Sequence, residues 1–250
     1  MNSILKTISL DVTVKTMVQK HISEQFNEEM DDIRNQVLTM GGMVEAQVRE
    51  ACEALMNGNV SLAHRVIQSD AQVNLMEKSI DGNCVEIIAR RQPTAGDLRL
   101  IMSLHKAITD LERIGDEAAK IALMALELAE MDRPRSDCQE LNHLGEHVRK
   151  ELHDALDSMA RMDIRSALDV ASEDEKVDKE YESVTRQLIT LIMENPSNVS
   201  RVLNTLWAAR ALERIGDHAK NICEYTVYAV TGEDVRHQPL NDEDKKALLS

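Results

Sequence analysis

The sequence predicts an all-α protein built from two tandem, pseudo-symmetric three-helix bundles, on the strength of three observations. The hexapeptide Leu-Glu-Arg-Ile-Gly-Asp occupies residues 111–116 and recurs unchanged 101 residues later, at 212–217, and an identical internal repeat indicates repeated structural units. Apolar residues recur three or four positions apart through most of the chain, which is the period of an amphipathic helix. Aromatic residues make up only 2% of the 250 residues, with 9 Gly and 4 Pro, so the composition favours a few long helices over sheets.

The first helix is predicted to follow an N-terminal extension. Residues 1–20 show no clear apolar face and contain several Ser and Thr, so we expect an extension that is partly disordered. Ser23 is the predicted N-cap of the first helix, because Glu24 and the acidic residues after it suit the positive end of a helix. The Asn-Gly-Asn turn at residues 57–59 is predicted to end this helix.

The second and third helices complete the first half. A short helical piece is predicted to begin at Ser61, followed by a longer helix that stops before Pro93, since proline disfavours helical geometry in the residue before it. Thr94 is the predicted cap of the third helix. That helix extends to about Met131 and carries the first hexapeptide.

The second half repeats this plan after a break at residues 132–136. Helices are predicted over about 138–161, 163–193 and 198–231, and the last carries the second hexapeptide. Long amphipathic helices joined by short loops bury their apolar stripes in antiparallel bundles. The predicted domains are therefore an extension (1–20), a first bundle (21–132), a second bundle (137–231) and an acidic, flexible tail (232–250).

The composition also narrows the classes of partner. The net charge of −15 argues against nucleic acid as a partner, because phosphate binding needs clustered Lys and Arg. No signal peptide and no membrane-spanning stretch are predicted. The cysteines are far apart and form no Cys-x-x-Cys pair, so we interpret them as reduced packing residues of a cytoplasmic protein. They are Cys52, Cys84, Cys138 and Cys223.

Each hexapeptide places two carboxylates on one side of its helix. Glu112 and Asp116 are four residues apart, as are Glu213 and Asp217, so each pair spans one turn on the face turned away from the apolar stripe. Like charges at this spacing cost an isolated helix roughly 0.2–0.5 kcal/mol, and a nearby cation would offset the repulsion. The glycine between them costs about 1 kcal/mol relative to alanine, which a close backbone neighbour would explain.

The second helix of each half carries a corresponding pair, Asp70 with Asn74 and Asp174 with Asp178. If the second and third helices are neighbours, three or four oxygen ligands converge in each bundle. Magnesium, manganese and ferric iron prefer such ligands, and zinc tolerates them. The predicted metal ligands are Glu112, Asp116, Glu213, Asp217, Asp174, Asp178, Asp70 and Asn74.

Two other interpretations stay open. Arg113 and Arg214 stand three residues before Asp116 and Asp217, so ordinary ion pairs could satisfy these carboxylates in a purely structural helical interaction protein. A metal-dependent phosphohydrolase would use the same carboxylates to hold an ion, with bound water as the nucleophile. The sequence offers no nucleophile paired with a base, and the Glu-x-x-His pattern of ferritin-like di-iron proteins occurs only at 140–143. We therefore assign no catalytic residues and do not predict an enzyme.

The hexapeptides and the turn before the third helix resemble the PhoU family of the phosphate-specific transport system. The turn is Gln-Pro-Thr-Ala-Gly-Asp-Leu-Arg at residues 92–99, and the second hexapeptide continues through His218 to Glu224 and Tyr225. The resemblance extends over about residues 21–237 and implies the PhoU-like fold of two three-helix bundles.

The resemblance also implies a function. Members of the family bind metal ions or clusters at E(D)xxxD motifs on the bundle surfaces, with iron or zinc in some and magnesium or manganese in others. They are cytoplasmic, often homodimeric negative regulators that associate only peripherally with membrane complexes. They couple the phosphate ABC transporter to the sensor histidine kinase, so that the phosphate-starvation regulon stays off when phosphate is plentiful. Asn74 stands where an acid would complete the first site, and a neutral amide weakens ligation.

Overall fold

The protein is helical throughout its described parts in a computed structural model, which describes residues 2–131, 139–236 and 248–249, and the side chains of 24–131, 141–236 and 248–249. No strand occurs within these ranges. The helices are α1 (Asn2–Asn57), α2 (Val60–Arg91), α3 (Ala95–Ala129), α4 (Gln139–Arg161), α5 (Ile164–Glu194) and α6 (Val199–Thr231). A 3₁₀ turn at Pro196–Asn198 connects α5 to α6.

The six helices form two three-helix bundles, as the sequence predicts. Helices α1, α2 and α3 pack against one another, as do α4, α5 and α6, and the bundles meet where α3 lies along α6 and α1 contacts α4. The apolar stripe beside each hexapeptide is fully buried, which explains why these residue types recur. Its members are Leu111, Ile114, Ala118 and Ile121 in α3 and Leu212, Ile215, Ala219 and Ile222 in α6.

Polar contacts to two buried carboxylates of α3 join α3 to α6 across the boundary between the bundles. The Nδ1 atom of His218 lies 2.7 Å from Oδ1 of Asp110, and Nη1 of Arg214 lies 2.8 Å from Oε1 of Glu117. Both carboxylates are almost fully buried. Each is thus satisfied by a side chain of the other bundle, as buried carboxylates require.

Helices α1 and α4 approach closely on another side of the same boundary. A Cβ atom built on Gly41 would lie 2.7 Å from Cδ2 of Leu156, so a larger residue at this point of α1 would force the Leu156 side chain to move. One turn further on, Nδ1 of His153 lies 2.9 Å from Oε1 of Glu45. Unlike the pair between α3 and α6, this pair is exposed to solvent.

Most helix ends follow the predicted turn signals. Gly58 has φ +65° between α1 and α2, and α2 ends before Pro93 with Gln92 at φ 49°. The prediction of two separate pieces within α2 is wrong: α2 is one helix, and Asn59 rather than Ser61 caps it, with Oδ1 accepting from the Leu62 N–H at 3.1 Å. No Gly or Pro interrupts residues 60–81, so nothing breaks the helix there.

The first helix begins much earlier than predicted. It starts at Asn2, so the prediction of a helix start at Ser23 is wrong. No Gly or Pro occurs between residues 2 and 40, and a helix that has nucleated continues at little cost through such a stretch. Whether residues 1–20 act as an extension separate from the first bundle stays a prediction.

Several remaining predictions fall wholly or partly outside the described residues. The break at 132–136 and Cys138 lie outside them, whereas Cys52, Cys84 and Cys223 are buried free thiols. Most of the predicted tail also lies outside, but Val235 is buried and Leu248 packs against the core. None of the helices in the described part of the chain is both long enough and apolar enough to cross a membrane.

Two candidate metal centres

In each bundle, three helices contribute polar side chains to one groove. Besides the eight predicted residues, α1 contributes Gln47 and α4 contributes Glu151, both almost fully buried. We call Gln47, Asp70, Asn74, Glu112 and Asp116 the first centre, and Glu151, Asp174, Asp178, Glu213 and Asp217 the second centre. The structure thus brings the predicted pairs of the second and third helices together in both bundles.

The carboxylates of the first centre act on one another electrostatically. Burial and the neighbouring Asp116 carboxylate raise the pKa of Asp70. Burial together with the charges of Asp116, Glu77 and Asp70 likewise raises the pKa of Glu112. Each group therefore loses its proton less readily than a free carboxyl group does, because repulsion in a partly dry groove is weakly screened.

Buried oxygen atoms without hydrogen-bond donors face into the first centre. Gln47 uses its Nε2 to donate to Oγ of Ser69 at 3.0 Å, and Asn74 uses its Nδ2 to donate to Oδ2 of Asp70 at 3.2 Å. Gln47 Oε1, Asn74 Oδ1 and Asp70 Oδ1 are left buried without a partner. Both amides therefore present their oxygen atoms, which are the atoms that a hard cation binds.

Gly115 allows these oxygens to reach the backbone of α3. A Cβ atom at this position would lie 3.2 Å from Oε1 of Gln47 and 3.3 Å from Oδ1 of Asp70. The sequence suggested a close backbone neighbour for the glycine, but its close neighbours are side-chain oxygens. A Cβ atom at this position would force both oxygens to shift by a few tenths of an ångström.

The second centre repeats this arrangement with more carboxylates. A Cβ atom at Gly216 would lie 3.1 Å from Oε2 of Glu151 and 3.6 Å from Oδ1 of Asp174. Glu151 is 3% exposed, and neither of its carboxylate oxygens has a hydrogen-bond partner. A carboxyl group in such a place is stable only if it is protonated or if a cation lies beside it.

The electrostatics of the second centre reflect this crowding. Burial, followed by the charge of Asp174, raises the pKa of Glu151 to about 9. Burial and Asp217 raise the pKa of Glu213 to about 6. The pKa values of Asp178 and Asp217 are also raised, chiefly by burial and then by neighbouring carboxylates. At neutral pH the second centre thus holds a proton on Glu151, which a metal ion would displace.

Two cations of the chain already touch the second centre. The Nζ atom of Lys220 lies 2.9 Å from Oδ2 of Asp174, and the guanidinium group of Arg210 pairs with Oε1 of Glu213. Oε2 of Glu213 remains buried without a partner. These contacts neutralise part of the charge and leave several oxygens unsatisfied.

The ion pairs proposed as an alternative do not form. Arg214 contacts Glu117 across the bundle boundary instead of Asp217. Over residues 24–131 and 141–236, neither Asp116 nor Asp217 takes part in an ion pair, and Arg113 also forms none. Neither aspartate is therefore neutralised by an ion pair with the arginine of its own hexapeptide.

The predicted outward position of the carboxylates is only partly correct. Asp178 and Asp217 are exposed, but Asp174 is 2% and Glu213 8% exposed. The reason is that the side chains of Asp174 and Glu213 lie in the groove between the second and third helices of the bundle. The neighbouring helix covers them there, which the pattern of a single helix does not show.

The residues fit a hard cation by chemistry, although their side chains are not arranged around one. Within the described ranges, no three His, Cys, Asp or Glu side chains converge closely enough to hold a metal ion as they stand. Lys220 and Arg210 occupy oxygens that would turn toward an ion. The donor set is made of oxygen atoms alone, which suits magnesium, manganese or ferric iron better than zinc.

Sequence reasoning missed three members of these sites, namely Gln47, Glu151 and Lys220. A signal for the first two was present, because each is a polar residue within an apolar stripe. Moreover, Gln47 and Glu151 are 104 positions apart, the same spacing that relates Asp70 to Asp174. Extending the repeat to the first helix of each half would have found them.

Comparison with known proteins gives one consistent result. The family model of the PhoU domain matches residues 37–125 and 141–226, and each match lies within one of the two bundles. The chain is 51% identical over 229 residues to the phosphate-specific transport system accessory protein PhoU of Escherichia coli, covering 91% of this chain and 94% of that protein.

Two solved structures share the fold. The crystal structure of PhoU from Pseudomonas aeruginosa superposes with a TM-score of 0.80 at 50% identity, covering 83% of this chain and all of that one. The crystal structure of the phosphate transport system regulatory protein PhoU from Streptococcus pneumoniae gives a TM-score of 0.77 at 28% identity, covering 84% of this chain and 99% of that one. With two matching domains, half-identical relatives along almost its whole length and the same bundle architecture, the chain belongs to the PhoU family.

Proposed function

We propose that this protein is a non-enzymatic negative regulator of phosphate uptake and phosphate-starvation signalling. It acts in the cytoplasm as an adaptor between the phosphate ABC transporter and the sensor histidine kinase. The observation that carries this role is the match to proteins named as accessory or regulatory components of phosphate transport, over about nine tenths of both chains. The match includes both bundles, so the relatives share the whole architecture.

The adaptor role is also consistent with the chemistry of the surface. The chain carries a net charge of −15, which favours basic partner surfaces over nucleic acid. It associates with the membrane-bound transporter peripherally and works as a homodimer. Sedimentation at micromolar protein concentration measures the dimer, and a single species with the mass of one chain would contradict it.

We further propose that both centres bind metal ions through carboxylate and amide oxygens. The unpaired, buried oxygens of Glu151, Gln47 and Asn74 support this, since burying them without a cation or donor is unfavourable. The predicted ligands would be Asp70, Asn74, Glu112 and Asp116 in the first centre, and Asp174, Asp178, Glu213 and Asp217 in the second. Gln47 and Glu151 would each add an oxygen ligand to the first and the second centre, respectively. A bound ion would hold the helices of each bundle in a fixed relation and present a charged surface to a partner.

The regulatory role is tested in cells that lack the protein. Deletion of its coding sequence is expected to raise expression of phosphate-starvation genes in high phosphate, and re-expression of the chain is expected to restore repression. Unchanged repression in the deletion strain would overturn the proposal. A pull-down with transporter and kinase components identifies the partners directly.

Metal binding is tested separately by elemental analysis of the purified protein, before and after dialysis against chelator. Release of phosphate from phosphoproteins or small phosphate esters by metal-loaded protein would instead favour the phosphohydrolase. No release, together with binding to the transporter, would discard that alternative.

A further inference from the structure

The two centres relieve the repulsion between their carboxylates in different ways. In the first centre, amides stand at two of the five positions, Gln47 and Asn74. In the second centre, the equivalent residues are the acids Glu151 and Asp178. The second centre therefore has two more carboxylates, and it needs more positive charge than the first.

Lys220 supplies that charge from within the chain. Its Nζ atom lies 2.9 Å from Oδ2 of Asp174, a carboxylate that is almost fully buried. The first centre has no counterpart, because the spacing of 101 residues that relates the hexapeptides pairs Lys220 with Ala119. A lysine thus accompanies the extra carboxylates, and an alanine accompanies the amides.

The ammonium group acts on the whole second centre and not on Asp174 alone. The charge of Lys220 opposes the rise in the pKa values of Glu151, Asp178 and Asp217. Burial disfavours the charged form of Lys220 itself, but the hydrogen bond to Asp174 and the neighbouring carboxylates outweigh it and raise the pKa of Lys220. The lysine is therefore a charged occupant of the centre.

The same centre also points to a second cation, one of higher charge than an ammonium group. Glu151 is buried with both oxygens unpaired even though Lys220 is in place, so the ammonium group does not take the place of the proton on Glu151. The side chain of Lys220 is 39% exposed, and the flexible stem of a lysine allows its ammonium group to turn toward solvent.

We propose that Lys220 is a built-in counter-cation of the second centre, which a metal ion must displace, and that it thereby lowers the affinity of this centre for metal. Ala119 leaves the first centre without such a competitor. This inference rests on the proposed metal binding, and it assigns to Lys220 one part of the difference between the two centres.

The test measures Mn²⁺ binding at the second centre alone. Glu112→Gln with Asp116→Asn disables the first centre, and calorimetry with electron paramagnetic resonance of free Mn²⁺ then gives the Kd of the second. Lys220→Ala in this background is expected to tighten Kd roughly tenfold or more, because a charge-assisted hydrogen bond no longer has to be broken. The matched control is Lys179→Ala, which removes an equal charge from an exposed ion pair with Glu175 and should change Kd less than about twofold.

The reciprocal variant moves the lysine into the first centre. Glu213→Gln with Asp217→Asn disables the second centre, and Ala119→Lys is then introduced at a half-buried position of α3. Mn²⁺ binding at the first centre is expected to weaken by roughly tenfold.

A purely structural role for Lys220 predicts a different pattern. If Lys220 is only structural, the Lys220→Ala variant should melt below the parent chain by the same amount with and without metal. If Lys220 is a counter-cation, the variant should melt below the parent chain in chelator only, and saturating Mn²⁺ should restore the melting temperature. Lys220→Met, which keeps the apolar stem, gives the same readout if the alanine variant does not fold.

The outcomes separate the two proposals. If the second centre binds Mn²⁺ with the same Kd with and without the Lys220→Ala change, the proposal that Lys220 is a counter-cation is wrong. The proposal that the centres bind metal would not be affected by that result. No Mn²⁺ bound by any of these chains would overturn both.

Discussion

Asp110 and His218 lie 2.7 Å apart through Oδ1 and Nδ1, although α3 and α6, which carry them, belong to different bundles. The Nδ2 of Asn221 also donates to the same oxygen at 3.3 Å. Both of these contacts to the carboxylate thus come from the second bundle. Asp110 therefore ties the first bundle to the second.

We expect Asp110→Ala to lower the free energy of unfolding by about 2–3 kcal/mol, because it leaves buried donors of the other bundle without a partner. The control is Glu45→Ala, which breaks the exposed pair with His153 between α1 and α4 and should cost less than about 1 kcal/mol. Urea unfolding measures both. Equal effects would show that burial does not decide the strength of these contacts.

The hexapeptide glycines are expected to matter for metal binding and not for stability. Alanine favours a helix by about 1 kcal/mol over glycine, but at residue 115 its Cβ would lie 3.2 Å from Gln47 Oε1 and displace a ligand oxygen. Gly115→Ala and Gly216→Ala should therefore weaken Mn²⁺ binding in calorimetry while the free energy of unfolding changes little. At Gly82, where a Cβ meets nothing within 4 Å, alanine should stabilise the protein and leave metal binding unchanged.

The metal-free protein should lose stability as the pH rises from about 5 to about 9. Burial raises the pKa of Glu151 to about 9, so in this window the folded chain holds a proton that the unfolded chain has released. The free energy of unfolding then falls with pH by up to about 1.4 kcal/mol per pH unit for this group. Urea unfolding in chelator at several pH values measures the slope.

Glu151→Gln mimics the protonated carboxyl and should flatten that dependence. Glu146→Gln, at an exposed position of the same helix, should leave it as in the parent chain. A slope that is unchanged by Glu151→Gln would show that the proton resides elsewhere.

Metal binding at the second centre should release about one proton at pH 7, because the ion takes the place of the proton on Glu151. Calorimetry in two buffers of different ionisation enthalpy counts the protons. The first centre, with Gln47 at the equivalent position, should release fewer. Equal proton counts from chains with one centre disabled at a time would contradict this difference.

Glu112→Gln with Glu213→Gln should abolish bound metal, because each change removes a charged ligand while keeping its size. Elemental analysis after equilibration with metal measures the loss. Glu86→Gln with Glu175→Gln removes the same charge from exposed ion pairs of α2 and α5, and this control should retain the metal. Full metal content in the first variant would show that the ligands are misassigned.

The sequence predicted the bundles well because helical periodicity is a local property. Helices α3 to α6 begin and end within about two residues of the predictions, since Pro, Gly and capping residues mark those ends. The start of α1 and the continuity of α2 were mispredicted because polar residues without Gly or Pro extend a helix when nothing interrupts it. Local composition does not separate such a stretch from an extension or a joint.

The candidate centres were predictable only in part. The i, i+4 pairs on the second and third helices could be read from the chain, and the structure brings them together. Gln47, Glu151 and Lys220 could not be assigned from one helix at a time, because their roles depend on which helix faces the groove. Burial of Asp174 and Glu213 is likewise a property of the packed bundle.

The residue that follows each hexapeptide reaches across to the opposite bundle: Glu117, next to Asp116, contacts Arg214, and His218, next to Asp217, contacts Asp110. Successive side chains of a helix point about 100° apart, so one peptide unit carries a groove carboxylate on one side and an inter-bundle contact on another. A rotation of α3 or α6 about its own axis that moves the aspartate into the groove therefore also moves the adjacent residue relative to the other bundle. The geometry of each centre is in this way coupled to the contact between the two bundles.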